Sequence, residues 1–248
     1  MENKNIVIGG AWPYANSDIH LGHIAGLISG DVLARYFRAK GDNVVFVSGT
    51  DCHGTPITER AKKEKKSPKE IAEYYDNRDR QALEKFHFSY DLYTNTDTDF
   101  HKKEVMEIFK KIYDNGYIYE KLEPQPYCEN CGKFLSDREI QIICPKCGVE
   151  TKAEQCDNCQ YVPTIEDMKD GICRECGDKT VLKENKNLYL ALSKFQKAIE
   201  EHTEKSSRLW RANAKNETNK YLKQGLVDRA VTRDLDWGVD IPIDGYED

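Results

Sequence analysis

Eight of the nine cysteines fall in four Cys-x-x-Cys pairs: Cys128/Cys131, Cys144/Cys147, Cys156/Cys159 and Cys173/Cys176. Two residues between thiols let a tight turn aim both sulfurs at one point, and glycine follows the second cysteine at Gly132, Gly148 and Gly177. Two such turns make the closed tetrahedral set of four thiolates that holds structural zinc. Four pairs therefore imply two Zn2+ ions. The gaps between pairs are 12, 8 and 13 residues, and nested pairing is expected. Cys144/Cys147 and Cys156/Cys159 would share one ion, and the outer two pairs the other. Four thiolates leave no open coordination position, so the expected role is structural and not Lewis-acid.

A second chemical group is His20-Leu21-Gly22-His23. Histidines three apart share one helical face, and a helix N-terminus offers unpaired N–H groups and a positive dipole end to a phosphate. Gly22 lets a flat base or ribose approach the backbone. Two histidines alone would also fit an ordinary surface helix. A third candidate is Asp51, in Ser48-Gly49-Thr50-Asp51-Cys52-His53-Gly54. Its carboxylate suits an ammonium group, or else caps the next helix. Cys52, the unpaired ninth cysteine, is expected as a packed thiol near the site.

The elements that must position these groups are legible around them. Ile6–Ile8 is a buried-type strand, and Gly9 and Gly10 end it. Trp12-Pro13-Tyr14 is held extended by its proline. A helix should run from His20 to about Lys40 and stop at Gly41. Val44–Val47 then makes a second strand, so a βαβ unit carries the histidines in its first loop and Asp51 at the end of its second strand. Parallel strands joined in this way bind ligands at their carboxyl ends. A charged helix is expected over residues 57–66. Ser67-Pro68-Lys69-Glu70 is a capping box opening a helix to about Phe86, and another helix spans roughly Phe100–Asp114. Later, Leu188–Leu192 reads as a strand, Ser193 caps a helix to about His202, and a helix near Ala214–Lys223 ends at Gly225.

No apolar run is long enough to span a bilayer, and no export pattern heads the chain, so a cytoplasmic location is expected. That context also favours metal over disulfides for the cysteine pairs. The net charge of −6 excludes a bulk basic grip on nucleic acid. Around the cysteines, Glu129, Glu150, Glu154, Asp157 and Glu175 are interleaved with lysines, which argues against a nucleic-acid-gripping zinc ribbon. Any RNA contact is expected from local basic patches or from polypeptide outside these 248 residues.

The text Ala11-Trp12-Pro13-Tyr14-Ala15-Asn16 followed by His20-Leu21-Gly22-His23 resembles the ATP-binding motif of class I aminoacyl-tRNA synthetases, and within them the methionyl-tRNA synthetases. Val231-Thr232-Arg233-Asp234-Leu235-Asp236-Trp237-Gly238 is similar to that family's return segment. The resemblance implies an α/β, doubly wound, Rossmann-like nucleotide-binding fold over residues 1–116 and 226–248. A connective insertion would interrupt it at 117–225, with zinc knuckles at 128–176. It implies activation of methionine by ATP, with Mg2+ on the nucleotide, and transfer to the acceptor end of tRNA. His20 and His23 would be catalytic and, with Gly22, bind ATP. Ala11, Trp12, Tyr14 and Asp51 would bind methionine, with Asp51 on its amino group. Arg233 would meet the carboxylate or the activated phosphate, or else form a salt bridge with Asp234 or Asp236.

The family pattern also implies a later strand with a pocket tryptophan, a Lys-Met-Ser-Lys-Ser loop and a helical anticodon-binding domain. None occurs in these 248 residues. Two accounts follow. The chain is a ligase piece completed by a missing half or a partner protein, or it is a shortened relative that binds a nucleotide or aminoacyl group in a regulatory role without ligating.

Overall fold

The computed structural model describes residues 3–233 and 237–246. They form two compact units, one of residues 3–109 with 237–246, the other of residues 110–233. Among the described residues no helix is long and apolar enough to cross a membrane.

The first unit is built on a parallel sheet of β1 (Asn5–Gly9), β2 (Asn43–Thr50) and β3 (Leu92–Asn95), in that spatial order. Between β1 and β2 runs α1 (Leu21–Ala39), and between β2 and β3 run α2 (Thr55–Glu64) and α3 (Pro68–Lys85). Helix α4 (Asp99–Asp114) follows and leads into the second unit. Val44 and Phe46 of β2 are buried with Ala34 of α1, flanked by Ile6 and Ile8. Phe46 stacks on Tyr90 at 4.2 Å. Gly30 of α1 sits over that ring, where a Cβ would come within 2.9 Å of Phe46. Helix and strand therefore approach more closely than any larger residue would permit. Ser67 and Glu70 cap α3 reciprocally, as their spacing predicts.

Strand β3 has no expectation behind it. Its four residues, Leu-Tyr-Thr-Asn, lie at the edge of the sheet and need no apolar run.

The second unit is built on an antiparallel ribbon of β4 (Ile118–Cys128) and the later β9, paired from Ile118↔Leu190 to Tyr127↔Val181. Strand β5 (Lys133–Phe134) flanks β4. Strands β6 (Ile140–Ile143), β7 (Glu150–Lys152) and β8 (Ile172–Cys173) form a small sheet ordered β7-β6-β8. Strand β9 is Val181–Leu190, and β10 (Arg229–Ala230) pairs with its far end. Helices α5 (Gln196–Ser206) and α6 (Ala212–Gln224) lie between them in sequence, and α6 ends at Gly225 with φ +84°. The strand expected at 188–192 thus starts seven residues earlier, at Val181. Both strands of the ribbon carry many charges because much of it faces solvent. Pro124 and Pro126 sit two apart in β4, and the Pro126 carbonyl accepts the Leu135 N–H at 2.9 Å. Residues of that parity therefore turn their backbone polar groups away from β9, so the missing N–H groups cost the long ladder nothing.

Replacing Phe46 by alanine should lower unfolding free energy by about 3–5 kcal/mol, since the residue is fully buried and little can move in to refill its volume. Denaturant titration followed by far-UV circular dichroism measures it.

Candidate functional site

Helix α1 starts on an unusual cap. His20 is the N-cap, with extended backbone (φ −122°, ψ 176°). Its Nδ1 accepts the Gly22 N–H at 3.0 Å, while the His23 Nδ1 accepts the His20 N–H at 3.1 Å. The arrangement is a capping box made of two imidazoles, where a hydroxyl and a carboxyl group are usual. The rings stack at 4.0 Å. An Nδ1 that accepts carries no proton, so each neutral ring holds its proton on Nε2. Both Nε2–H groups are thereby left as donors beside the open turn of α1. Gly22 is required here for a reason besides ligand access. A Cβ at that position would lie 2.8 Å from the His20 ring.

Burial, and then the neighbouring His20, hold the His23 pKa below the ordinary imidazole value. His23 is accordingly neutral at pH 7.

The extended segment from Gly10 to Ala15 is seated along the carboxyl end of β2. The Gly10 N–H donates to the Val47 carbonyl (2.8 Å), the Asp51 N–H to the Pro13 carbonyl (2.8 Å), and the Ala15 N–H to the Asp51 carbonyl (2.9 Å). Ser48 Oγ donates to the Ala11 carbonyl at 2.9 Å. Trp12 lies over Gly49, where a Cβ would come within 2.6 Å of the indole and 2.5 Å of the Thr94 carbonyl. Trp12 and Tyr14 remain 36% and 48% exposed, so two aromatic rings stand available beside Asp51.

Asp51 does not cap the following helix. The N-cap of α2 is Gly54, with no side-chain hydrogen bond to it. Among the described residues the Asp51 carboxylate instead accepts a long bond from the His53 N–H (3.3 Å), which leaves it capacity for a ligand cation.

Behind it lies a set of residues that the sequence reading did not single out. His53 Nε2 is 3.3 Å from Asp97 Oδ1, and Lys102 pairs with the same oxygen at 2.6 Å. His53 also stands edge-on to Trp237 at 5.3 Å, whose Nε1–H donates to the Cys52 carbonyl at 2.7 Å. Cys52 itself is buried, and burial pushes its thiol pKa up to about 12. It is a packing residue, inert as a nucleophile. From sequence, the histidine in Asp51-Cys52-His53 and Trp237 of the return segment were the available flags, while Asp97 and Lys102 had none.

The remaining candidates lie in the second unit. Cys128, Cys131, Cys173 and Cys176 converge as one set, and Cys144, Cys147, Cys156 and Cys159 as another, each with all sulfurs within 4.8 Å of one another. The nesting is the one the gaps suggested. Sulfur–sulfur distances of 3.4 and 3.8 Å in the outer set and 3.6 Å in the inner set are close to the ~3.8 Å edge of a tetrahedron with 2.3 Å Zn–S bonds. The donors therefore fit zinc. Each knuckle closes with the same turn, in which residue i+4 donates its N–H to the first cysteine's carbonyl: Gly132, Gly148, Gln160 and Gly177 at 2.8–2.9 Å. All four have positive φ, and Gln160 (φ +57°) takes the place where the others use glycine. Arg233 is exposed in this second unit. Its alternative partners, Asp234 and Asp236, lie outside the described residues.

A parallel βαβ unit with both loops of interest at its carboxyl edge places the chain among α/β nucleotide-binding proteins. Residues 6–248 match the family model described as tRNA synthetases class I (M), and the chain belongs to that family. It is 52% identical to methionine–tRNA ligase 1 of Alkaliphilus oremlandii and 48% identical to methionine–tRNA ligase of Bacillus mycoides, in each case over 98% of this chain and 45% of the relative. Methionyl-tRNA synthetase of Mycobacterium tuberculosis, solved in complex with methionyl-adenylate, has the same fold. The TM-score is 0.72 at 22% identity, covering 96% of this chain and 43% of that one. The chain thus spans under half the length of the relatives it matches.

Zinc titration of metal-stripped protein should saturate at two equivalents, one per four-cysteine set. Cys144→Ser should saturate at one, with a lower unfolding temperature, as read by atomic absorption and a thermal scan. Two equivalents bound tightly to Cys144→Ser would show that the inner set is not a metal site.

Proposed function

We propose that this chain carries the amino-acid-activating portion of a methionine–tRNA ligase acting in the cytoplasm. The observation that carries this reading is the imidazole pair at the N-terminus of α1. Its two Nε2–H groups are fixed as donors by the helix's own cap. Family membership and the names of the relatives at about half identity support the choice of substrate.

In this reaction the methionine carboxylate attacks the α-phosphorus of ATP. A bond forms from carboxylate oxygen to phosphorus, the α–β bridging bond breaks, and Mg2+-pyrophosphate leaves. A hydroxyl oxygen of the terminal ribose of tRNA then bonds to the methionyl carbonyl carbon, the carbonyl–phosphate bond breaks, and AMP leaves with the hydroxyl proton released. The protein's work is positioning and charge stabilisation. His20 and His23 donate from Nε2 to phosphate oxygens as negative charge builds, and the α1 N-terminus adds its dipole. Gly22 lets the nucleotide approach. Asp51 holds the methionine ammonium, with Ala11, Trp12 and Tyr14 on the amino-acid side. Arg233 supplies a guanidinium to the carboxylate or activated phosphate. The zinc ions hold the second unit folded, and that unit guides the acceptor end of tRNA.

Calorimetric titration tests both halves of the site. Asp51→Asn should weaken methionine binding by roughly 10- to 100-fold, the worth of one charge-assisted hydrogen bond of about 1.5–3 kcal/mol, while ATP binding is unchanged. His20→Ala should weaken ATP and abolish methionine-dependent ATP–pyrophosphate exchange. Unaltered ATP affinity in His20→Ala, or stronger binding of another amino acid than of methionine, would overturn the reading.

A pH dependence follows from His23. Protonation of its Nδ1 would expel the His20 N–H and break the cap. The folded-state pKa is depressed, so the cap's contribution is complete above the free-imidazole value of about 6.5. It is lost as pH falls through the lower, folded value. The acid limb of ATP binding should therefore lie below about 6.5, and His23→Gln should move or remove it.

A further inference from the structure

Helix α3 grips the approach to His20 with two successive residues. Arg78 makes a two-toothed ion pair with the Asp18 carboxylate, with Nη2 at 3.0 Å from Oδ2. The next residue, Asp79, accepts the Ile19 N–H on Oδ1 at 3.2 Å. Asp18 and Ile19 are the last two residues before the N-cap of α1. The Ile19 N–H precedes the helix and has no partner within it.

The Asp79 side of this grip is costly to keep. The residue is completely buried, and its Oδ2 has no hydrogen-bond partner among the described residues. An apolar side chain would fill the same place without the desolvation penalty of a carboxyl group. Burial, with the nearby charges of Asp18 and Asp76, pushes its pKa up to about 7, against the Ile19 hydrogen bond and Arg78, which favour the anion. The helix that bears it is itself tied to the sheet. Arg80 bridges Asp76 at 3.2 Å and donates to the Tyr93 carbonyl of β3 at 2.6 Å, and Asn95 donates to Asp76 at 3.0 Å. A continuous path thus runs from β3 through α3 to the two residues that lead into His20.

We propose that Arg78 and Asp79 form a positioning clamp that holds the chain entering α1, so that both imidazoles keep Nδ1 on the backbone and present Nε2–H outward. The clamp's service to ATP rests on the function proposed above. Its effect on the rings does not, and can be measured separately. Neither residue touches the site. Each acts through Asp18 or Ile19 on the backbone torsion at His20, which must stay extended for its side chain to reach the Gly22 N–H.

The test uses full-length chain with 15N-labelled histidine and long-range imidazole correlation spectra at about pH 8, where the neutral ring dominates. The unaltered chain should show His20 and His23 as Nε2–H tautomers. Arg78→Ala, which removes an exposed partner and leaves the core intact, should shift both rings toward the mixed tautomers of a free histidine. Asp79→Leu should do so more completely. Asp79→Asn keeps an oxygen acceptor for Ile19 and should restore the original signature. Ile71→Ala loosens α3 through its buried face without touching the clamp, and should leave the rings unchanged.

Original signatures in Arg78→Ala and in folded Asp79→Leu would overturn the proposal. The same shift in Ile71→Ala would do so as well, since general loosening would then be the cause. Nucleotide titration beside the spectra separates the two readings. Lost signature with weakened ATP supports the clamp and the imidazole role together. Lost signature with full ATP affinity supports the clamp and overturns the imidazole role.

Discussion

Two imidazoles that accept the turn's own backbone N–H groups, at Gly22 and His20, set the geometry of the start of α1. This chain also shows what an ordinary cap looks like. Ser67 with Glu70, and Ser136 with Glu139, close reciprocal boxes with hydroxyl and carboxyl groups. Such caps are worth about 1 kcal/mol over alanine, and histidine is not among the favoured residues. A helix that takes the poorer cap also acquires two N–H donors that a serine or glutamate could not offer. A carboxylate at the third helical position would repel a phosphate, whereas a neutral imidazole donates to it. At this one turn the chain carries two N–H donors in place of a stronger cap.

The cap has value only if the segment before it is held, and small residues do much of that work. Gly10, Ser48 and Gly49 let the extended stretch 10–15 lie against the end of β2, with Trp12 in van der Waals reach of the backbone at Gly49. That seating brings the Asp51 backbone against Pro13 and Ala15. The aromatic rings and the carboxylate are therefore registered to one another by main-chain hydrogen bonds, not by side-chain contacts that a ligand would have to break. Pre-set geometry of this kind lowers the ordering cost of binding.

Much of this was legible before any coordinates. The helix after His20, the second strand, the α3 capping box and the nested cysteine sets each have local signals: a proline, a glycine stop, a fixed spacing. Residues whose roles depend on distant partners had none. Asp79 reads as one more charge on a polar helix, and only the fold brings it under Ile19, 60 positions earlier. Strand β3 and the outer half of β9 lack an apolar run because they are an edge and an exposed ribbon. Gln160 gives no sign that it occupies a left-handed turn, since the other three knuckles use glycine there. Local chemistry is written locally, while packing against a remote element is not.

The disposition of arginines bears on where anionic charge can be met. All five in the first unit, Arg35, Arg38, Arg60, Arg78 and Arg80, are paired with carboxylates of the same unit. They are spent on holding α1, α2 and α3 in place. The first turn of α1 thus presents N–H dipoles and two imidazoles, and Arg78, the guanidinium that reaches the residues leading into it, is paired with Asp18. In the second unit Arg138 pairs with Glu154 at 2.6 Å, while Arg208, Arg211 and Arg233 are exposed. The Arg233 charge instead acts on Asp137 of its own unit, where it opposes the burial that pushes that carboxyl pKa up. The imidazole cap keeps its arrangement while His23 is uncharged, whereas a guanidinium keeps its charge at any pH a protein meets.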